Sequence, residues 1–224
     1  METAVLKVFS DIVDAVEKGQ HALLSFLDLS AAFDTVDHEI LLRRLYSSFG
    51  LDSVALHLFK SYLEDRSQSV LLDDIFTTLR RVLCGVPQGS VLGPILFTLY
   101  TADLERIIES FGLLHHCYAD DAQVYGSCSL NDSAALRTKL LGCVDTIGRW
   151  MVSNQLKRNP SQSEFMWCTN ARRLHNINDF EFIMPDGAGK ASMSVRDLGA
   201  YLDQAMTLQD HVSLMVSSCF YQLR

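Results

Sequence analysis

Hydrophobic positions along the chain alternate between helix-like and strand-like spacing. Between residues 4 and 18, five apolar side chains share one helical face, and Gly19 suits the C-terminal end of that helix. The next block, His21 to Leu29, is a short and nearly unbroken apolar run in which Asp28 follows the last buried positions. Its length predicts a buried strand with a carboxylate at its carboxyl end.

The same patterns predict the rest of the secondary structure. Helices are predicted over 38–49, 53–64, 90–109 and 131–152, with a last amphipathic helix from about 207. Strands are predicted over 67–72, 75–83, 113–118, 123–125, 164–168, 180–184 and 198–202. Gly187–Gly189 is interpreted as a turn. Mixed strands and helices of this kind predict an α+β fold, an antiparallel sheet with helices packed on one face.

Length and composition are those of a globular protein. The chain has 224 residues, of which 48% are hydrophobic and 21% charged, and it contains no repeat or linker. We therefore expect one domain over residues 1–224. The longest apolar stretch, Val91–Tyr100, has about ten residues, whereas a membrane span needs about twenty. We expect a soluble chain with no membrane partner.

Net charge bears on possible partners, and cysteine content bears on the redox compartment. Nineteen basic against 27 acidic residues give a net charge of −8, which argues against a chain that wraps nucleic acid unaided. Eight basic residues form four adjacent pairs, for which solvated surface is the default interpretation: Arg43–Arg44, Arg80–Arg81, Lys157–Arg158 and Arg172–Arg173. The six cysteines form no Cys-x-x-Cys pair, so we expect scattered buried thiols in a reducing compartment.

Three aspartates are the candidates for chemistry. Asp120 and Asp121 lie between two apolar strands, where a hairpin turn lets neighbouring carboxylates approach one point. Asp28 ends another apolar strand, where an uncompensated carboxylate is costly unless it is solvated or bound to a cation. If the two strands are neighbours, the carboxylates converge into a set of hard oxygen ligands. Such a set suits two Mg²⁺ or Mn²⁺ ions and the transfer of a nucleotidyl group. For Asp120–Asp121 alone, a simple turn-forming role is the alternative.

Five motifs in order resemble reverse transcriptases. The segment from Gly85 to Pro94 (GVPQGSVLGP) is similar to the central signature of that family, and Tyr118–Asp121 (YADD) matches its catalytic tetrapeptide. Phe26–His38 resembles its first acidic motif in the form found in non-LTR (LINE-type) retrotransposons. Residues 154–160 and 198–203 resemble two later motifs of the polymerase palm, so the resemblance spans about Ala22 to His211.

The resemblance implies roles for individual residues. Asp28, Asp120 and Asp121 would hold two metal ions, with help from the Leu29 carbonyl. Phe33 would lie under the incoming sugar and exclude a 2′-hydroxyl, although core packing is its default interpretation when it is considered alone. Gln88 and Gly89 would lie near the nucleotide and template, and Gly199 in a hairpin that holds the primer end.

Some residues depart from the family pattern. Gln162–Ser163 stands where the family usually has Lys-Thr, and Arg158 occupies a position that is commonly apolar. Lys157 is the available substitute for the missing lysine in binding substrate. Only 27 residues precede Asp28 and the chain ends at Arg224, so we expect a palm portion with fingers and thumb largely absent.

We therefore expect a polymerase-type palm from the RNA-directed DNA polymerase domain of a retrotransposon, as a fragment. The implied partners are an RNA template, a DNA primer, deoxynucleoside triphosphates and the rest of the retroelement polyprotein. Localisation stays open, with a nuclear site implied only by the family. One alternative is a catalytically inactive retroelement remnant that does not bind template and primer stably. Another is a cellular relative of maturase or telomerase type.

Overall fold

The structure, a computed structural model, describes residues 2–159, 163–176, 182–184 and 187–222. The chain divides into two compact units. The first contains Met1–Asp28, Glu105–Gly148 and Arg158–Arg224, and the second contains Leu29–Leu104 and Arg149–Lys157. The expectation of one domain stays a prediction.

The described residues contain both helices and strands, several of each in succession. The helices are α1 (Glu2–Glu17), α2 (His38–Ser47), α3 (Ser53–Leu63), α4 (Leu92–Thr101), α5 (Asp103–Ser110), α6 (Ser133–Ser153) and α7 (Gln209–Gln222). The strands are β1 (His21–Leu27), β2 (Ser67–Gln68), β3 (Leu71–Leu72), β4 (Ile75–Phe76), β5 (Arg80–Arg81), β6 (Leu114–Tyr118), β7 (Asp121–Cys128), β8 (Glu164–Cys168), β9 (Phe182–Met184), β10 (Gly187–Ala191), β11 (Ser194–Asp197) and β12 (Ala200–Asp203). The α+β prediction is confirmed.

Most predicted elements are found close to their expected bounds. The two strands predicted over 67–72 and 75–83 are instead four two-residue strands, β2 to β5, and β11 was not predicted. The helix predicted over 90–109 is divided into α4 and α5, and β7 continues to Cys128, beyond the predicted 123–125. The interpretation of Gly187–Gly189 as a turn is wrong, because these residues pair with β9 as the start of β10. The predicted strand over 180–184 falls partly on residues 180–181, which lie outside the described residues.

A six-stranded sheet organises the first unit. Its strand order is β6-β7-β1-β8-β10-β9, and the pairs are antiparallel except for β8 with β10, which is parallel. Helix α1 and the β11–β12 hairpin pack on one face of this sheet. The residues of that core are Val8, Ile12, Ala22, Leu24, Tyr125, Met166, Cys168, Val195, Leu202 and Met206.

The opposite face of the sheet is also covered. A Cβ atom at Gly126 would lie 3.0 Å from Leu136 Cδ1 of α6 and 2.9 Å from Leu113 Cδ2. Gly126 pairs with Leu23, whose side chain points away from the α1 face. Helices were predicted on one face of the sheet. In the structure, α1 lies on one face and α6 on the other.

The second unit is held together around a buried arginine. Arg44 of α2 donates to the Asn154 side chain at 2.9 Å and forms an ion pair with Asp103 at 2.9 Å. Its guanidinium also lies over the rings of Tyr100 and Trp150, 5.5 and 5.4 Å from their centroids. The Tyr100 hydroxyl donates to the Asn154 carbonyl, so these residues form one network across α2, α4 and the end of α6.

Two expectations about surface and thiols need correction. Arg44 and Arg158 are buried, so two of the four basic pairs are not simply solvated surface. Of the six cysteines, all of which are free thiols, only Cys143 and Cys168 are buried, whereas Cys84, Cys117 and Cys219 are exposed. None of the helices in the described residues is long and apolar enough to cross a membrane.

Candidate active site

The register of β1 and β7 brings two of the predicted aspartates face to face. In this antiparallel pair, Phe26 pairs with Gln123 and Leu27 with Ala122. The next residues in the same register are Asp28 and Asp121. Since side chains alternate along a strand, both carboxylates lie on the sheet face that carries Phe26 and Gln123.

Asp121 begins β7 directly after a tight turn. Tyr118 of β6 pairs with Asp121, which leaves Ala119 and Asp120 as the two turn residues. Ala119 has a φ of 54°, the left-handed conformation that such a turn requires. The predicted hairpin is therefore present, and the turn places Asp120 next to Asp121 at the tip.

Asp28 and Asp121 line one pocket of about 170 Å³ in the first unit. The β1, β7 and β8 strands supply one side of it and the β11–β12 hairpin supplies the other. Its acidic lining residues are Asp28, Asp121, Glu164 and Asp197, with Arg196 as the basic one. Asp120 is not among the lining residues.

Asn159 holds Asp28 in place. Its backbone N–H donates to the Asp28 carbonyl at 2.9 Å, and its side-chain amide donates to Asp28 Oδ2 at 3.1 Å. The carboxylate that ends β1 is thereby oriented by a residue 131 positions later in the chain. Asn159 belongs to the motif noted in the sequence, but no role was predicted for it.

The electrostatics of the pocket oppose negative charge. Burial raises the pKa of Asp121, and the charges of Asp120 and Asp28 raise it further. Burial likewise raises the pKa of Asp197 to about 6, the charge of Asp121 adds to this, and a hydrogen bond from Gln123 opposes it. Mutual repulsion among partly buried carboxylates is relieved by a bound cation.

The sequence motifs assigned no role to Asp197 or Gln123. Gln123 Nε2 donates to Asp197 Oδ1 at 2.5 Å, and both side chains are buried. Asp197 directly precedes the Leu198–Asp203 motif, and Gln123 lies two residues after Asp121. Their position beside recognised motifs was the available signal, but only the docking of the β11–β12 hairpin brings them together.

The chemistry of the lining suits a hard divalent cation, since carboxylate oxygens predominate. Among the described residues, however, no three His, Cys, Asp or Glu side chains are grouped so as to hold a metal ion by themselves. Asp28 and Asp121 would therefore supply part of a coordination shell. Water and substrate phosphates commonly supply the rest for Mg²⁺.

Three further predicted residues lie in the second unit. Phe33 is half-buried, and its ring packs against Phe97 with 4.8 Å between centroids. Gln88 is exposed and donates through Nε2 to Asp34 Oδ1 at 2.9 Å. Gly89 is exposed with a φ of 75°, so the glycine there avoids backbone strain.

The remaining predicted residues are also placed. Lys157 is exposed, and its backbone carbonyl accepts a hydrogen bond from Ser30 N–H at 2.9 Å. The side chain of Leu29 is buried. Gln162 lies outside the described residues, and Ser163 is buried with its hydroxyl donating to the Asn159 carbonyl at 2.8 Å.

Comparison with known proteins identifies close sequence relatives. Residues 4–201 match the family described as "Reverse transcriptase (RNA-dependent DNA polymerase)". The chain is 30% identical over 220 residues to the RNA-directed DNA polymerase from mobile element jockey of Drosophila funebris, covering 95% of this chain and 23% of that protein. It is 29% identical over 229 residues to the probable RNA-directed DNA polymerase from transposon BS of Drosophila melanogaster, covering 98% and 24%. The chain thus spans about a quarter of the length of these curated relatives.

Solved structures share the fold. The apo telomerase of Candida tropicalis, truncated from its C-terminal domain, superposes with a TM-score of 0.63 and 14% identity, covering 93% of this chain and 39% of that one. The telomerase of Candida albicans, in complex with a fragment of telomeric RNA, gives 0.64 and 14%, covering 92% and 33%. At this identity the likeness concerns the fold, and it confirms the predicted polymerase-type palm. The family match over residues 4–201, together with the jockey and transposon BS polymerases, shows that the chain belongs to the reverse transcriptase (RNA-dependent DNA polymerase) family, in the form carried by LINE-type retrotransposons.

Proposed function

We propose that this chain provides the catalytic carboxylates for RNA-directed DNA synthesis, and that Asp28, Asp120 and Asp121 are those carboxylates. The observation that supports this most strongly is the β1–β7 register, which sets Asp28 opposite Asp121 in one acidic pocket. Enzymes of this family generally use divalent metal ions. We assign two Mg²⁺ or Mn²⁺ ions to this site, with the Leu29 carbonyl as a further oxygen ligand.

The residues of the first unit organise the reacting groups. When bound, such ions activate an attacking hydroxyl and neutralise the charge of a leaving pyrophosphate. Asp28, held by Asn159, and Asp121, fixed at the start of β7, orient the site. The reaction joins the primer 3′-oxygen to the α-phosphorus of a deoxynucleoside triphosphate and breaks its bond to pyrophosphate. The proton of the 3′-hydroxyl passes to solvent.

Residues of the second unit are proposed to bind substrate. A bulky ring at Phe33, supported by Phe97, would exclude a ribose 2′-hydroxyl by sterics. Gln88 is oriented by Asp34 and, with Gly89, would lie near the nucleotide and template. Lys157, exposed beside the later palm motif, would take the place of the lysine that Gln162 replaces.

The proposed partners are an RNA template and a DNA primer. They follow from the family and from the telomerase neighbour whose structure contains telomeric RNA. The chain carries a net charge of −8, so its own field does not attract nucleic acid. We therefore propose that other parts of the retroelement polyprotein supply much of the affinity for the template and primer.

Primer extension on an RNA template tests the activity. The wild-type chain should extend the primer only with Mg²⁺ or Mn²⁺. Asp120→Asn and Asp121→Asn should each slow extension at least about a thousandfold, because several kcal/mol of charge stabilisation are lost. Asp210→Asn, which removes an exposed carboxylate from α7, is the matched control and should leave extension unchanged. Undiminished extension by Asp121→Asn contradicts the assignment.

The alternative of an inactive remnant is favoured by one observation, Gln162 in place of the family lysine. A titration with an RNA–DNA hybrid separates the two functions. Salt-sensitive binding by the chain, even if it is weaker than the nanomolar binding expected of the longer polyprotein, supports the polymerase. No binding at low salt, together with no extension by the wild-type chain, supports the remnant.

A further inference from the structure

One oxygen of the Asp197 carboxyl group has no partner. Asp197 is 4% exposed, and its Oδ1 accepts the hydrogen bond from Gln123. Its Oδ2 is fully buried and has no hydrogen-bond partner in the part of the chain that the structure describes. An unsatisfied buried carboxylate oxygen destabilises the folded state. A hydrogen-bond donor that binds to this oxygen would therefore stabilise the site.

The position of this oxygen connects it to the proposed cation. Asp197 lines the same pocket as Asp28 and Asp121. Gln123, which holds it, lies on the same face of β7 as Asp121, two residues further along. The charge of Asp121 also raises the pKa of Asp197, as expected for two carboxyl groups that line one pocket.

Packing alone does not explain a carboxyl group at this position. Val195 and Leu202 already attach the β11–β12 hairpin to the core on the α1 face. A leucine at position 197 would add apolar contact without burying an unpaired oxygen. The hydrogen bond from Gln123 accounts for one carboxyl oxygen, and the unpaired Oδ2 is the one that a ligand would serve.

We propose that Asp197 Oδ2 accepts a hydrogen bond from a water molecule carried by the divalent cation at Asp28 and Asp121. The contact is through water because the described residues contain no group of three such ligands that holds an ion directly. Mg²⁺ and similar ions keep several waters in protein sites, and groups that bind those waters tune the affinity. Asp197 is thus a positioning residue, and this inference rests on the proposed function of the pocket.

Titration of Mn²⁺ into the full chain, followed by electron paramagnetic resonance at neutral pH, tests the inference. Asp197→Asn keeps an oxygen for the Gln123 bond but replaces the acceptor. It should weaken Mn²⁺ binding about tenfold, while circular dichroism stays close to wild type and the unfolding midpoint does not fall. The matched control, Asp210→Asn, should bind Mn²⁺ like the wild type. Glu164→Gln, which removes a carboxylate from the lining of the same pocket, controls for charge and should weaken Mn²⁺ binding less than Asp197→Asn does.

The possible outcomes distinguish this inference from the proposed function. If Asp121→Asn loses Mn²⁺ binding but Asp197→Asn binds like wild type, the role of Asp197 is wrong and the cation site stands. An equal deficit in Glu164→Gln also overturns the role, since the effect of Asp197 then reflects charge alone. If Asp121→Asn binds Mn²⁺ like wild type, both the cation site and the inference fail.

Discussion

Asn159 clamps Asp28 with two hydrogen bonds, one from its backbone to the Asp28 carbonyl and one from its side chain to the carboxylate. The first fixes the end of β1, and the second orients the carboxylate that faces Asp121. These two hydrogen bonds link the first acidic motif to the motif over residues 154–160. This link gives a structural reason for an asparagine at position 159.

Removal of the Asn159 side chain should impair the site without unfolding it. In Asn159→Ala the backbone bond stays, but the Asp28 carboxylate loses a hydrogen bond of the kind worth about 1.5–3 kcal/mol. We expect primer extension to slow about tenfold. Asn159→Asp should be slower still, because it places a second carboxylate beside Asp28. Extension by Asn159→Ala at the wild-type rate contradicts the clamp.

The burial of Asp197 predicts an unusual pH dependence of stability. Its native pKa of about 6 lies above the unfolded value of about 4. The native state therefore binds the proton more tightly, and stability falls as pH rises between these two values. In Asp197→Asn this loss is absent, whereas Asp28, Asp121, Glu164 and Arg196 line the pocket in both proteins.

Urea unfolding without divalent ions, at about pH 4 and at neutral pH, measures this effect. The free energy of unfolding of the wild type should fall relative to Asp197→Asn by at most about 3 kcal/mol over this range. Relative to Asp210→Asn, the free energy of unfolding of the wild type should not fall over this pH range. If the wild type instead gains stability relative to Asp197→Asn as pH rises, the pKa of Asp197 is not raised in the native state.

The Arg44 network should dominate the stability of the second unit. Arg44→Met leaves the Asp103 carboxylate and the Asn154 side-chain oxygen without the arginine and removes two ring contacts. We expect the free energy of unfolding to fall by about 3 kcal/mol, as for other broken buried ion pairs. Arg43→Met, at the neighbouring exposed position, should change it by less than about 0.5 kcal/mol. Equal effects of the two substitutions in urea unfolding contradict this picture.

Phe33 should determine the choice of sugar. In Phe33→Val the ring is lost and space for a 2′-hydroxyl opens. The ratio of kcat/KM for deoxy- and ribonucleoside triphosphates should fall at least about tenfold. Phe49→Val, which changes an exposed phenylalanine of the same unit, should keep the wild-type ratio. A Phe33→Val enzyme with unchanged discrimination assigns Phe33 to packing against Phe97 alone.

Sequence patterns predicted the elements whose signal is local. The β1 strand is a buried apolar run, and the turn between β6 and β7 is marked by adjacent aspartates, so their bounds were close. Asp28 and Asp121 follow from the same logic once β1 and β7 are neighbours. Gly187–Gly189 was wrongly predicted as a turn because glycine is disfavoured in strands. The segment is extended because it pairs with β9.

The residues that sequence patterns missed depend on contacts between distant segments. Gln123 and Asp197 are 74 residues apart, and their hydrogen bond exists only when the β11–β12 hairpin docks on the sheet. Asn159 reaches Asp28 across 131 residues. Arg44 looked like solvated surface because its charge is visible in the sequence, whereas its buried partners are not.

Asp28 and the Asp120–Asp121 turn are proposed to bind divalent cations together. Anomalous scattering from a crystal of the chain soaked in Mn²⁺ tests this binding directly. We expect a manganese peak in contact with carboxylate oxygens of both Asp28 and Asp121. A well-ordered crystal in which manganese is absent from this pocket, or bound only elsewhere on the chain, contradicts it.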